Sequence, residues 1–254
     1  MALKVTVHSV MTPISNEIKR FLLEKGADLV GIGDITGIEE KEAISKEFHH
    51  YSRAVAIGMK LHKFKKPEKM NGGVDEHSLM LAYLKENEDV TLKLNGLLQD
   101  ASKFLRKRKH RCMAIPPIAV AEERKFISAL YNLFSHKMAV TMSGLGWVGK
   151  NGMVINGEFG PNLIWATILT DADLSPSPPQ LESMCGECRL CMIACPVGAV
   201  LGVNWSRSRG NHEVIDLEKC GNYMAENSDK YGRPVCGICF IACPIGVKKT
   251  RNSG

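Results

Sequence analysis

Eight of the nine cysteines lie between Cys185 and Cys243, and their spacing limits what that segment can become. The first motif is Cys185-x-x-Cys188-x-x-Cys191-x-x-x-Cys195-Pro196. The second is Cys236-x-x-Cys239-x-x-x-Cys243-Pro244, with Cys220 upstream. A cubane iron–sulfur cluster needs four thiolates converging on its iron corners. Two-residue spacers wrap three sulfurs round one cube, and the following Cys points away to serve a second cube. On that logic Cys185, Cys188, Cys191 and Cys243 hold one [4Fe–4S] cluster, and Cys195, Cys220, Cys236 and Cys239 hold another. A pair of zinc ribbons would use cysteine pairs, not three cysteines at two-residue intervals followed by Cys-Pro. The segment is therefore expected to be a bacterial-ferredoxin-like module that handles single electrons. Cys112 stands apart in an apolar stretch and reads as a small buried residue.

The spacing favours metal over disulfides, and the rest of the chain is consistent with a reducing compartment. No run of about 18 apolar residues is present, so no transmembrane helix is expected. Met1-Ala2-Leu3-Lys4-Val5 does not begin a secretory signal and no twin-arginine pair follows, so the expected location is cytoplasmic with no membrane partner. The net charge of +6 is mild. Its densest run, Arg106-Lys107-Arg108-Lys109-His110-Arg111, reads either as a phosphate-facing patch or as a solvated helix end.

The first two thirds alternate helix-like and strand-like patterns. Ile14, Ile18, Phe21 and Leu22 recur at helical spacing across 14–25, with Thr12 or Ser15 to cap the start and Gly26 the end. Strands are expected at 27–32, 53–59, 111–115, 153–156 and 163–170. Helices are expected at 39–47, at 75–109 with a break near Asn87-Glu88-Asp89, and at 121–138. This predicts an α+β chain whose sheet is mixed rather than purely parallel. The proline-rich Ser175-Pro-Ser-Pro-Pro179 marks the expected boundary between an α/β domain at 1–174 and the cysteine module at 175–254.

Gly144-Leu-Gly-Trp-Val-Gly-Lys-Asn-Gly152 reads as a glycine-rich loop. Gly144, Gly146 and Gly149 allow backbone amides to approach a large ligand; Trp147 offers a flat apolar face and Lys150 a donor. The competing reading is a tight turn packed beneath the cysteine module.

With these motifs in order, the chain resembles epoxyqueuosine reductases and, more distantly, reductive dehalogenases. The matching segments are Ile18 to Asp34, Ser52 to Met59, Ser143-Gly-Leu-Gly-Trp-Val-Gly-Lys-Asn151, Gly157-Glu-Phe-Gly-Pro161, Ile168-Leu-Thr-Asp171 and the eight cysteines with Cys220-Gly-Asn-Tyr223. The resemblance implies a nitroreductase-like, cobalamin-binding α/β sandwich followed by the double-cluster module. It implies base-off cobalamin contacting Gly144, Gly146, Trp147, Gly149 and Lys150, fed through the clusters by a reduced ferredoxin or flavodoxin-type donor. Asp75-Glu-His77 begins a pattern that supplies a lower histidine ligand to cobalamin elsewhere, but lacks its glycine, so His77 reads as an ordinary helix residue.

The sequence departs from the family in two respects. Epoxyqueuosine reductases carry a general-acid aspartate in a Val-Asp-x-x-Pro segment before the glycine motif, whereas no aspartate lies between Ala121 and Val140. The ionisable residues there are Glu122, Glu123, Tyr131, His136 and Lys137. Tyr131 with Lys137 could form the phenol–ammonium pair of the dehalogenases, although Ile127, Leu130, Tyr131 and Phe134 also form an apolar helical stripe. The sequence also lacks the helical repeats that help hold tRNA, so a small organic substrate or a partner corrinoid protein is expected rather than tRNA. Three readings follow: a corrinoid- and cluster-dependent reductase, an electron-transfer protein serving a partner, and a short epoxyqueuosine reductase.

Overall fold

The computed structural model describes residues 12–38, 50–64, 76–117, 134–208, 213–232 and 234–247. The helix expected at 39–47 and most of that at 121–138, with Glu122, Glu123 and Tyr131, lie outside them.

Helix α1 (Pro13–Glu24) begins with proline in its first turn, where no N–H is missed, and buries Ile18 and Leu22. Strands β1 (Leu29–Asp34) and β2 (Arg53–Lys60) follow. Helix α2 (Glu76–Lys107) leads to β3 (Cys112–Ile115). Helix α3 (His136–Met142) then precedes the short hairpin β4 (Trp147–Val148) and β5 (Val154–Ile155), and β6 (Leu163–Thr170) closes the body.

The main sheet has the order β1-β2-β6-β3, and every adjacent pair is antiparallel. This corrects the expected mixed sheet. Helix α2 crosses from β2 to β3, which run the same way, but β6 enters between them running opposite. The sheet separates two cores. On one face, Val55, Ile57, Ala166 and Ile168 pack under Ile18, Leu22 of α1 and Leu94, Leu98, Leu105 of α2. On the other, Ala54, Ala56, Trp165 and Leu169 meet Phe134, Met138 and Val140. Helices on both faces explain why β2 and β6 read as unbroken apolar runs rather than alternating ones.

Two helix expectations change. Helix α2 runs through Asn87-Glu88-Asp89 without a break. No Gly or Pro falls in that stretch, and Glu86 just before is buried, accepting the N–H groups of Lys63 (2.6 Å) and Phe64. A new helix starts at His136 because the Ser135 hydroxyl accepts the Lys137 N–H at 3.3 Å, capping it, and runs to Met142. The basic run ends α2. Lys109 takes a left-handed φ of 65°, Arg108 pairs with Glu17 (2.7 Å) and stacks on Phe104, and Arg111 pairs with Asp171 (2.9 Å). Arg108 and Arg111 are thus held by the body, while Arg106, Lys107 and Lys109 are exposed.

Among its described residues the cysteine segment carries four short helices: α4 (Leu190–Ala194), α5 (Leu217–Glu226), α6 (Ser228–Tyr231) and α7 (Ile238–Ile241). The proline-rich connector is tied along the body, with Ser175 N–H on Ser15 Oγ (2.7 Å), Ser177 N–H on Ile32 O (2.9 Å) and Gln180 N–H on Thr141 O (2.7 Å). Among the described residues no helix is long and apolar enough to cross a membrane.

Candidate metal centre and the hairpin that reaches it

Strand β1 alternates by residue. Val30 and Ile32 face the helices α1 and α2, while Gly31 and Gly33 face the end of α3. A Cβ on Gly31 would lie 2.7 Å from Leu145, and one on Gly33 2.8 Å from Met142. The bare strand face thus seats the turn that follows α3. That turn is closed by Leu145 N–H to Val140 O (3.1 Å) and Gly144 N–H to Thr141 O (3.2 Å), with Gly144 at φ 69°. This paired pattern is the standard left-handed helix stop.

The chain then enters the β4–β5 hairpin, whose Gly149 N–H bonds Met153 O at 2.8 Å. Lys150 and Asn151 form its tip, both buried. The Lys150 ammonium donates to Gly186 O (2.6 Å) and Cys188 O (3.1 Å). The Asn151 amide donates to Cys239 O (3.3 Å), and its own oxygen accepts the Met153 N–H (3.2 Å). The tip therefore grips the first cysteine motif with one residue and the second with the next.

Two cavities flank it. The first, about 70 Å³ as space open to the centre of a water-sized sphere, is lined by Cys185, Cys188, Cys191 and Cys243 together with Lys150 and Asn151. The second, about 180 Å³, is lined by Cys195, Cys220, Cys236 and Cys239, again with Asn151. A single water needs roughly 10–15 Å³ on this measure, so each cavity has room for a larger group. These are the two sets of four that the spacing assigns. Electrostatics couples the thiols mainly within each set, with Cys191 also acting across on Cys239. Burial, then the charges of Cys185, Cys243 and Cys188, push the Cys191 thiol up to about 11. Burial, then Cys236, Cys220, Cys191 and Cys195, push Cys239 up to about 12, and burial with Cys195 raises Cys220. Among the described residues no three His, Cys, Asp or Glu side chains are gathered closely enough to hold one metal ion. The thiols ring voids rather than points.

A third core of Val148, Ala199, Trp205, Val214 and Ile215 packs hairpin against module, with Cys195 and Cys220 at its edge. Phe64, Tyr83 and Phe240 form a second aromatic joint, at ring separations of 5.1–5.7 Å. The third joint is the reciprocal approach of two glycines. A Cβ on Gly160 would strike Ile245 O, and one on Gly246 would strike the Phe159 backbone.

The other residues singled out from the sequence lie as follows. A Cβ on Gly144 would strike Pro178 O, one on Gly146 would strike Ile155 O, and one on Gly149 would lie 2.8 Å from Asn151 Oδ1. Trp147 is buried and its indole N–H has no partner among the described residues. Lys137 is half-buried, its ammonium bonded to none of the described residues, and desolvation lowers its pKa. His136 is fully engaged: its Nε2–H donates to Pro116 O (3.2 Å), and Nδ1 accepts from the Thr167 hydroxyl (2.7 Å). Burial pushes its pKa down to about 4. Asn151 and Trp205 were missed; Asn151 was legible only as the neighbour of Lys150 inside the glycine motif.

The chain is thus an α+β body with a hairpin planted between two four-thiol cavities. The resemblance read from its motifs holds in sequence and in fold. No family model matches it. It is 26% identical over 231 residues to the epoxyqueuosine reductase of Escherichia coli K12, covering 84% of this chain and 57% of that protein. It is 26% identical over 196 residues to that of Prochlorococcus marinus, covering 74% and 62%. A shorter match of 97 residues to the Francisella enzyme is 33% identical, covering 37% and 27%. The chain therefore spans less than two thirds of these relatives. Among solved structures, epoxyqueuosine reductase with an epoxyqueuosine-modified tRNA-Tyr stem loop aligns at TM-score 0.59 and 17% identity, covering 92% of this chain and 65% of that one. The catabolic reductive dehalogenase NpRdhA aligns at 0.62 and 20%, covering 92% and 32%.

Proposed function

We propose that this chain is an oxidoreductase carrying two [4Fe–4S] clusters, one on Cys185, Cys188, Cys191 and Cys243 and one on Cys195, Cys220, Cys236 and Cys239, within a ferredoxin-like module that begins after Leu174. The observation that carries the reading is the pair of cavities, each ringed by one set of four cysteines. A tetrahedral zinc would draw its four sulfurs to within about 4 Å of one another, given Zn–S bonds of ~2.3 Å. Voids ringed by thiols suit a polynuclear cluster better. Crowded thiols resist ionisation, as the raised Cys191 and Cys239 show, and iron supplies the positive charge that lets them bind as thiolates. The clusters would carry single electrons; Lys150 and Asn151 would hold the two cysteine loops in register.

The relatives suggest that the electrons end on a corrinoid, and a solved dehalogenase neighbour is described as B12-dependent. The residues assigned to that cofactor do not fit it as a cradle. The Cβ sides of Gly144, Gly146 and Gly149 are filled by the chain, Trp147 is buried and Lys150 is spent on two carbonyls. A self-contained reductase of a small organic substrate, with Lys137 and Tyr131 as the proton-donating pair, is the first reading. The filled glycine loop favours a second, in which the protein passes electrons to a partner corrinoid protein. The relatives' names favour a third, reduction of epoxyqueuosine in tRNA.

Anaerobic reconstitution followed by titration with cob(II)alamin and EPR tests the first two. Roughly eight irons per chain are expected for two cubanes, and an iron-free or single-zinc protein overturns the cluster reading. Conversion to a base-off cobalt signal supports the self-contained reductase; an unchanged base-on signal with clusters intact supports delivery to a partner. Restored queuosine in a reductase-deficient strain supports the third.

A further inference from the structure

We infer that Lys150 is the internal counter-cation of the first cluster and makes it the higher-potential one, so that electrons run from the second cluster to the first. This rests on the two-cluster reading above.

Three observations converge. Lys150 is only 5% exposed, yet no carboxylate lies within ion-pair reach of it among the described residues. Its hydrogen bonds go to two neutral carbonyls, Gly186 O and Cys188 O, within the first cysteine motif. It lines the cavity of Cys185, Cys188, Cys191 and Cys243. A buried charge without an opposite charge is strongly unfavourable, so an anion belongs beside it. Four thiolates on a [4Fe–4S] core provide that anion, and one-electron reduction makes it more negative still. The ammonium therefore stabilises the reduced state more than the oxidised one. Net charge and hydrogen bonding near the sulfurs are what set such potentials.

Among the described residues that line it, the second cavity has no buried cation of this kind. Its lining residues include no Lys, Arg or His, and the same hairpin tip offers it only the neutral Asn151 amide. Lys230 shares a neighbouring cavity with Cys236 but is exposed to solvent, so among the described residues the buried cation stands at one four-thiol site and an uncharged amide at the other. With both sites loaded, a ferredoxin-class one-electron donor would reduce the second cluster from its 2+ to its 1+ core. The second would return to 2+ as the first goes from 2+ to 1+, with no bond made or broken. Asn151, which borders both cavities, lies between donor and acceptor.

The experiment is potentiometric titration followed by EPR on the reconstituted full chain. The cluster that survives in Cys220→Ala should titrate at higher potential than the one that survives in Cys185→Ala. In the otherwise unchanged chain, Lys150→Met should lower the higher-potential signal by about tenfold in electron partition, about 59 mV for one electron, and leave the other in place. Lys150→Arg, which keeps the charge, should restore it. Equal or reversed potentials in the two cysteine variants overturn the inference, as does a Lys150→Met protein whose signals move together or not at all. Should Lys150→Met fail to assemble the first cluster, the two cysteine variants, which retain Lys150, decide the order. Absence of any cubane signal would instead sink the two-cluster reading itself.

Discussion

Gly160→Ala tests how the cysteine module is held to the body. Gly160 sits in the turn between β5 and β6 at φ 61°, and the Cβ of an alanine there would overlap Ile245 O and C. Two penalties add. A non-glycine residue in the left-handed region costs about 1–2 kcal/mol. Forcing backbone apart at a packed contact costs about 1–3 kcal/mol. The sum, about 2–5 kcal/mol, is a large part of a typical stability of ~5–15 kcal/mol. For a chain of this size it corresponds to a melting temperature lower by roughly 4–20 °C. The displaced segment is the Ile245-Gly246 turn, which begins two residues after Cys243, so the first cluster should be lost ahead of the second. Gly157→Ala is the control: nothing lies within 4 Å of a Cβ there. The assay is thermal unfolding by circular dichroism with iron analysis. If Gly160→Ala melts with wild-type and Gly157→Ala protein and keeps full iron, the reciprocal glycine contact does not hold the module.

Cys188→Ala should halve the iron content from roughly eight atoms per chain to four; retention of all the iron would refute the ligand assignment. Glu86→Ala should destabilise the protein by about 2–4 kcal/mol in urea, because the buried Phe64 N–H and the partly buried Lys63 N–H lose their carboxylate acceptor. A change below 0.5 kcal/mol would show that the clamp between α2 and the segment after β2 is idle. His136 has a folded pKa of about 4, below the unfolded value near 6.5, so the unfolded chain binds its proton first as pH falls. Its stabilising effect is complete above about pH 6.5 and should shrink by about 2 kcal/mol between pH 7.5 and 5. That loss should be absent in His136→Asn, and equal slopes in the two proteins would contradict the burial argument.

The sequence alone determined what depends on neighbours along the chain. The two- and three-residue spacings within each cysteine motif are local, and the two fours expected from them are the fours that line the two cavities; that Cys243 joins the first motif and Cys195 the second is a matter of the fold. The apolar runs of β2 and β6 and the heptad-like face of α1 are equally local. What the tertiary structure decided is non-local. Strand partners are chosen by burial against distant segments, so β6 entering between β2 and β3, and the antiparallel sheet that results, left no mark in the periodicity. The glycine motif shows the same limit. Its composition suited a ligand cradle, but the fold fills the space before Gly144 and Gly146 with Pro178 and Ile155 and turns Lys150 and Asn151 into the cysteine module. A missing Cβ makes room in any fold; only packing decides whether a ligand or the chain itself takes that room.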